Sequence, residues 1–174
     1  MLIESSLANN FIAKLKGYIK SGFSDKKALG NVINQFHHDR LCKLMEDHQG
    51  AVVVGNPNAH EDKNLTPSVI LNPSPEAPIM KEEIFGPLLP VFTYKNIDEA
   101  IQFINRMDKP LAVYYFGPMN SKNGQRVKME TSSGAFLVNE ATMHFINQYT
   151  PFGGVGASGY GRCHGYEGFK QCSN

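Results

Sequence analysis

Residues 88–138 alternate between apolar runs and amphipathic segments, and this alternation limits the fold more than any other feature of the sequence. Apolar, β-prone runs occupy 88–94, 111–116 and 135–138, and a helical pattern lies between each successive pair. Near-continuous apolar strands that alternate with helices are typical of a parallel sheet covered on both faces. We therefore predict an α/β fold with an open, mostly parallel sheet and helices on both faces.

Local signals place further elements. Asn96 with Glu99 forms a capping-box pattern at the start of the first helix in this region. Nearer the N-terminus, the apolar spacing predicts an amphipathic helix over 5–20, with Ser5 and Ser6 as candidate caps. The sequence also predicts a second helix at about 35–48 and two short strands, one at 52–54 and the other at 69–71.

Composition excludes several classes of function. The chain has 174 residues with 41% hydrophobic and 19% charged residues, enough apolar material for one compact domain or for a piece of a larger one. Its net charge is +1 and no stretch gathers basic residues, so nucleic acid is not expected as a partner. No apolar run is long enough for a membrane span. The three widely spaced cysteines favour free thiols in an intracellular, reducing compartment, cytoplasmic or organellar.

Gly154-Val-Gly156-Ala-Ser-Gly159 matches the G-x-G-x-x-G dinucleotide fingerprint by letters alone. The fingerprint needs a buried strand before it and a helix that leads to a second strand after it. Here QYTPF precedes the motif, and seven of the 16 glycines lie between Gly153 and Gly168. We interpret this region as a tight glycine loop shaped for packing or for a substrate pocket.

The segment KEEIFGP, residues 81–87, carries two adjacent carboxylates and has two interpretations. It could be a solvated turn closed by Gly-Pro. Alternatively, one carboxylate accepts hydrogen bonds from a vicinal diol, while Phe85 packs against a flat ring. Residue spacing alone leaves both interpretations open.

The order of these segments resembles the aldehyde dehydrogenase superfamily. EEIFGP followed by an apolar strand, a helix like IDEAIQFIN, the strands LAVYYF and AFLVN, and the tail PFGGVGASGYG occur there in this order. The tail, followed by His164-Gly165, is most similar to that of the class-3 branch, whose enzymes act on fatty and aromatic aldehydes. The resemblance covers nearly the whole chain, including LIESSLANNFIAKL and SVILNPSPEAPIMKEEIFGP.

The resemblance implies roles for seven positions. In the family, the glutamate of EIFGP binds the nicotinamide ribose hydroxyls and the phenylalanine packs at the nicotinamide; the matching cofactor-binding residues are Glu83 and Phe85. The implied cofactor is NAD or NADP, and its binding is expected to need the rest of the enzyme. The positions that match the family's substrate pocket are Asn139, His144, Phe152, Gly153 and Gly154.

The family reaction is the NAD(P)-dependent oxidation of an aldehyde to a carboxylic acid, begun by a cysteine thiolate. By resemblance, residues 1–174 form a single partial catalytic domain that lacks the N-terminal cofactor-binding domain and the C-terminal oligomerisation strand. None of Cys42, Cys163 and Cys172 matches the family nucleophile, so no catalytic residue is expected in this chain. We expect the chain to be inactive alone and to need another protein chain as a partner.

Two further questions are whether the chain has a noncatalytic role and whether it binds a metal. A noncatalytic structural or interaction subunit of a larger assembly is the alternative, because apolar surface that the missing parts normally bury would need a partner. A metal site is not expected, because the histidines show no ligand spacing with cysteine or with carboxylates.

Overall fold

The computed structural model describes residues 1–23, 30–55, 60–61, 63–118 and 120–173. The chain divides into two compact units, Met1–Lys95 and Asn96–Asn174, which are described separately below. Both units combine helices with strands, so the predicted α/β class is confirmed.

The first unit contains a four-stranded sheet and two long helices. Its elements are β1 (Leu2–Glu4), α1 (Ser5–Gly22), α2 (Gln35–Glu46), β2 (Ala51–Val54), β3 (His60–Glu61), β4 (Asn64–Leu65), β5 (Ser68–Leu71) and β6 (Leu88–Tyr94). The order in the sheet is β1-β6-β5-β2, and β6 runs parallel to both of its neighbours. β2 pairs antiparallel with β5 at one edge, and β3 and β4 form a separate antiparallel pair.

The two helices of this unit cover opposite faces of its sheet. Val69 and Ile70 are adjacent on β5, so their side chains point to opposite faces, and both are buried. Val69 belongs to the cluster that the apolar side of α1 completes, whereas Ile70 packs in the cluster that contains Leu41 of α2. The complete burial of one aliphatic side chain of this kind stabilises the fold by about 1.5–3 kcal/mol. The predicted helices on both faces are therefore present in this unit.

The second unit is built around a pair of parallel strands. Its elements are α3 (Ile97–Arg106), β7 (Ala112–Tyr115), α4 (Lys122–Glu130), β8 (Ala135–Val138), α5 (Met143–Ile146) and α6 (Gly165–Gln171). β7 and β8 pair in register from Ala112 opposite Ala135 to Tyr115 opposite Val138. The predicted capping box is confirmed: the Glu99 amide donates to Asn96 Oδ1 over 3.1 Å and Asn96 Nδ2 donates to Glu99 Oε1 over 3.0 Å.

Side chains of α3 and α4 meet at one guanidinium. Arg126 on α4 donates to Asp98 on α3 over 2.6 Å and to Glu130 over 2.7 Å. Asn105 Nδ2 donates to the Glu130 carbonyl over 2.9 Å. The two helices are thus linked by a charge-assisted bond near the N-terminus of α3. Near the C-terminus of α3, a hydrogen bond to the last carbonyl of α4 links them again.

Two sequence-based expectations need correction. Ser5 and Ser6 do not cap α1, whose N-cap is Glu4; the Ser5 hydroxyl instead donates to the Tyr94 carbonyl over 2.9 Å. The glycine-rich tail is not all loop, since it ends in α6.

Among the described residues, no helix combines the length and the apolar character needed to cross a membrane.

Candidate functional site

The loop of residues 81–87 precedes β6 in the first unit and holds Phe85 in an unusual backbone conformation. Phe85 has a φ of 45°, in the left-handed region that bulky residues rarely adopt, and its side chain is 77% exposed. Such a conformation costs about 1–3 kcal/mol and persists only where the surroundings impose it. An exposed aromatic ring on a backbone fixed in this way is available to a planar ligand.

Two consecutive residues of α2 fix the main chain on either side of Phe85. Arg40 Nη2 donates to the Ile84 carbonyl over 2.6 Å. On the other side, a Cβ added to Gly86 would lie 2.5 Å and 2.6 Å from the Leu41 methyl carbons, so a larger residue would require that fully buried leucine to shift. The loop is therefore held against the core on both sides of Phe85 and is not a free turn.

The two adjacent carboxylates of this loop have different surroundings. Glu82 forms an ion pair with Arg40 at 3.2 Å. Glu83 is exposed, and within the described parts of the chain no hydrogen bond or ion pair engages its carboxylate. An unengaged carboxylate next to an exposed ring on a fixed backbone suits two neighbouring hydroxyls and a flat ring. Glu83 and Phe85 thus fit the nicotinamide ribose end of NAD or NADP.

In the second unit, Asn139 acts as a clamp after the end of β8. Its side-chain oxygen accepts from the Gly117 amide over 2.8 Å, and its Nδ2 donates to the Gly117 carbonyl over 2.9 Å. Asn139 has a φ of 56°, which asparagine tolerates better than most residues. Because both ends of its amide are engaged with backbone, Asn139 shapes the segment that leads from β8 toward the glycine loop.

An aromatic cluster surrounds Phe152, and we define it as Tyr114, His144, Phe145, Phe152 and His164. The Phe152 ring lies 5.3 Å from His144, 5.7 Å from His164 and 5.8 Å from Phe145 between ring centroids. Tyr114 of β7 contacts His144 at 5.8 Å. The structure therefore brings two of the predicted pocket residues, His144 and Phe152, into direct contact.

His144 has polar atoms that the protein leaves without partners. Both ring nitrogens are buried, and in the described part of the structure neither has a hydrogen-bond partner. Native proteins rarely leave a buried polar atom unmatched unless water, an ion or a ligand completes it. His144 is thus one group of the aromatic cluster that could donate to or accept from a bound molecule.

Gly153 and Gly154 follow Phe152 and are fixed by close backbone approach. A side chain at Gly153 would collide with the Gly161 carbonyl, and one at Gly154 would collide with the Ser158 carbonyl. Arg162 also donates to the Gly154 carbonyl. These contacts fold the loop tightly behind Phe152, as the packing interpretation of the glycine loop predicts.

The run that matches the dinucleotide fingerprint does not have the structure that the fingerprint requires. Gly156–Ser158 forms one 3₁₀ turn. It lies in the sequence between Phe152 and Cys163, which form a single-residue bridge. A phosphate-binding fingerprint instead joins a buried strand to the N-terminus of a long helix.

Strained backbone is concentrated in these segments. Seven non-glycine residues among those described have positive φ, and four of them, Phe85, Asn139, Thr142 and His164, lie in the loops that carry the candidate residues. Strain of this kind gathers at binding and active sites, where the fold imposes it.

The three cysteines occupy different environments. Cys42 is half-buried on α2, with Sγ 3.8 Å from His38 Nδ1; burial, and then the charges of Asp39 and Glu46, raise the pKa of this thiol. Cys163 is exposed and donates through Sγ to the Phe152 carbonyl over 3.2 Å. Cys172 is exposed at the end of α6. Within the described ranges, no group of three histidine, cysteine or acidic side chains is arranged to hold a metal ion.

Sequence reasoning missed the residues that support the candidate sites. Arg40 is 43 positions from Glu83, and no local pattern connects the two. Tyr114 lies in the apolar run predicted as a strand, and Phe145 lies outside every predicted helix or strand, so neither is assigned to the pocket. Aromatic character near PFGG was the one signal that could have indicated Phe145.

Comparison with known proteins identifies the family. The whole chain, residues 1–174, matches the Aldehyde dehydrogenase family. It is 45% identical over its full length to aldehyde dehydrogenase family 3 member B1 of Rattus norvegicus, and 40% identical to family 3 member A2 of Mus musculus. The chain belongs to the aldehyde dehydrogenase family, and the resemblance to its class-3 branch is confirmed. The chain spans 37% and 36% of the lengths of these two relatives.

Solved structures show the same fold. The substrate-bound state of Staphylococcus aureus AldH matches with a TM-score of 0.85 and 35% identity, over 97% of this chain and 38% of that one. A betaine aldehyde dehydrogenase from Staphylococcus aureus in complex with NAD⁺ matches with a TM-score of 0.82 and 25% identity, over 98% and 36%. The family uses NAD(P), and the similar solved structures include a complex with NAD⁺.

Proposed function

We propose that this chain acts as one part of an NAD(P)-dependent oxidation of an aldehyde to a carboxylic acid. The observation that carries the proposal is the fixed loop with an exposed, unengaged Glu83 beside an exposed Phe85. When bound, NAD(P) accepts the hydride that leaves the aldehyde carbon. The residues of this chain bind and orient the groups around that step.

Glu83 is proposed to hold the ribose through its carboxylate. A carboxylate has two acceptor oxygens, and a vicinal diol presents two donors at matching separation, so one side chain can fix the sugar. Phe85 would pack its ring against the nicotinamide and limit its rotation. The pinned backbone keeps both side chains in place without further ordering on binding.

The aromatic cluster is proposed to contact the aldehyde substrate. Phe152 and Phe145 supply apolar surface, and the unpartnered nitrogens of His144 supply the polar group of the cluster. Gly153 and Gly154 allow the loop to fold tightly behind Phe152. Asn139 supports the segment from β8 and is proposed to border the pocket through its backbone position.

Cys42 is a poor candidate for the nucleophile. The raised pKa of Cys42 keeps it protonated at neutral pH, and a thiol attacks as its thiolate. The family nucleophile and the cofactor-binding domain are proposed to come from outside residues 1–174. On this proposal the chain is inactive alone and works with another protein chain or segment.

The test is reconstitution in trans. The remaining part of a family 3 enzyme, carrying the nucleophilic cysteine and the cofactor domain, is mixed with this chain, and aldehyde-dependent NADH or NADPH formation is measured. The proposal predicts a rate that appears only when both parts are present. A folded complex without a rate above background would contradict it.

A noncatalytic interaction subunit is the second candidate, and exposed apolar side chains of the second unit favour it. Tyr160 is 98% exposed, Tyr149 92%, and Phe145 and Ile146 about as exposed as each other at 65% and 64%. Large apolar side chains that are exposed in a folded unit mark protein contacts where they adjoin one another. The same mixing experiment separates the candidates, because a stable complex without turnover supports this one. A well-folded monomer that binds no other chain would contradict it.

A further inference from the structure

We infer that Arg40 is a positioning residue for the cofactor pair Glu83 and Phe85. The inference rests on the proposed function, since it assigns a support to the same site. Arg40 lies on α2, 43 residues before Glu83, and no match to a sequence motif indicates it.

The guanidinium of Arg40 contacts three successive residues of the loop. It forms an ion pair with Glu82 at 3.2 Å, reaches the Glu83 carbonyl at 3.4 Å, and donates to the Ile84 carbonyl at 2.6 Å. The short bond to Ile84 is the strongest of the three, because a charged donor meets a carbonyl in a partly buried setting. The loop backbone is therefore fixed immediately before Phe85.

The position of Arg40 on the helix makes this support rigid. The next residue, Leu41, is fully buried, and its methyl groups pack against Gly86 on the far side of Phe85. α2 is anchored by Leu44 and Met45, which are buried in the same core cluster. One helix turn thus holds the residues on both sides of Phe85, whose backbone has the left-handed φ of 45°.

The structure distinguishes the hydrogen bonds that position the loop backbone from the ion pair of Arg40 with Glu82. Arg40 has a side chain that is 18% exposed, while that of Glu82 is 43% exposed, so solvent screens the ion pair more than the bond to Ile84. A lysine at position 40 could pair with Glu82 but could not reach three acceptors with a planar fork. Removing the charge of Glu82 should leave the main-chain bonds in place.

The experiment compares Arg40→Gln, Arg40→Lys and Glu82→Gln in the full chain. Hydrogen exchange measured by mass spectrometry reports the loop of residues 81–87, and thermal unfolding reports the overall fold. We expect on the order of tenfold faster exchange at this loop in Arg40→Gln, an intermediate change in Arg40→Lys, and no change in Glu82→Gln. Unaltered exchange in Arg40→Gln would overturn the inference.

A second measurement shows whether the fixed loop matters for binding. Nicotinamide mononucleotide, which contains the nicotinamide ribose without the adenylate half, is titrated by NMR against the enzyme reconstituted from each variant and the remaining part of a family 3 enzyme. We expect binding to weaken about tenfold in Arg40→Gln and to recover partly in Arg40→Lys, while thermal unfolding shows that each variant is still folded. Equal binding by Arg40→Gln and the unsubstituted chain would contradict a positioning role even if the exchange rates differ.

The two measurements also distinguish this inference from the proposed function. If the reconstituted enzyme with the unsubstituted chain binds no nicotinamide mononucleotide, the assignment of Glu83 and Phe85 to the ribose is contradicted. Faster exchange in Arg40→Gln would in that case still support Arg40 as the residue that holds this loop.

Discussion

The ring of Phe152 is stacked on that of His164, with 5.7 Å between ring centroids and 25° between ring planes. The same segments are joined through the backbone, since the Phe152 amide donates to the Cys163 carbonyl over 2.9 Å and the Cys163 amide donates to Phe152 over 2.8 Å. Phe152 is therefore held by its main chain and its ring together, and it closes the glycine loop on itself.

Replacing Phe152 with alanine should destabilise the fold. The substitution removes ring contacts with His144, Phe145 and His164, and for a half-buried phenylalanine we expect a loss of about 2 kcal/mol in the free energy of unfolding. Urea unfolding followed by circular dichroism measures the change. Tyr160→Ala, at a side chain that is 98% exposed, is the control and should change stability by less than about 0.5 kcal/mol. Equal effects of the two substitutions would show that the aromatic cluster is not packed as described.

Alanine substitutions at two glycines should have opposite signs. A Cβ at Gly153 would collide with the Gly161 carbonyl and would lie 3.1 Å from Arg162 Nη1, so Gly153→Ala should destabilise by more than about 1 kcal/mol. Gly17 lies inside α1 with no atom within 4 Å of its Cβ position. Gly17→Ala should therefore stabilise the chain by about 0.4–1 kcal/mol. Thermal unfolding of both variants checks this, and a destabilised Gly17→Ala would contradict it.

Acid should weaken the ion pair between Arg126 and Glu130, which lie one turn apart on α4. Hydrogen bonds from Arg126, and then its charge, hold the pKa of Glu130 below its ordinary value. A carboxyl whose pKa is lower in the folded state stabilises the fold above its unfolded pKa, and this contribution is lost as the pH falls through the folded pKa. Glu130→Gln should therefore flatten the decline of stability in this acidic range and leave the slope near neutral pH unchanged.

The acid prediction is checked by urea titrations at a series of pH values from neutral to strongly acidic. The pair is solvent-exposed, so the difference should be small and should shrink at high salt. Identical pH profiles for Glu130→Gln and the unsubstituted chain at low salt would count against the Arg126 link.

The cysteines should react at different rates with a thiol reagent. Cys163 and Cys172 are exposed and should be labelled quickly under native conditions. Cys42 is half-buried, and burial raises its pKa, so its labelling at neutral pH should be at least about tenfold slower. Mass spectrometry of peptides after timed alkylation measures each site, and labelling of Cys42 as fast as Cys172 would refute the assigned environment.

The sequence indicated most elements of the fold but not how all the strands pair. The capping box at Asn96 and Glu99 is a local signal, and the structure confirms it because both partners lie within one helical turn. The neighbours of β6 are set by long-range contacts instead, and β1 reaches it across about ninety residues, as Met1 and Pro90 show. Alternating strands and helices therefore predicted parallel pairing without identifying each partner.

The same limit applies to the candidate site. The residue types alone do not distinguish Glu82 from Glu83. The two differ because Glu82 forms an ion pair with Arg40, which lies on a helix far away in the sequence. The role of Asn139 as a backbone clamp depends on Gly117, which lies 22 residues earlier. Family resemblance indicated which positions to consider, and the tertiary contacts show how each one is held.

We propose that the Glu83 carboxylate positions the nicotinamide ribose for hydride transfer. The most direct measurement is the single-turnover rate of NADH formation in the enzyme reconstituted from this chain and the remaining part of a family 3 enzyme, with Glu83→Gln compared with Glu82→Gln. We predict that Glu83→Gln slows this step by about tenfold or more without lowering the unfolding temperature, whereas Glu82→Gln changes it by less than about twofold. Equal rates for Glu83→Gln and the unsubstituted chain would contradict the claim.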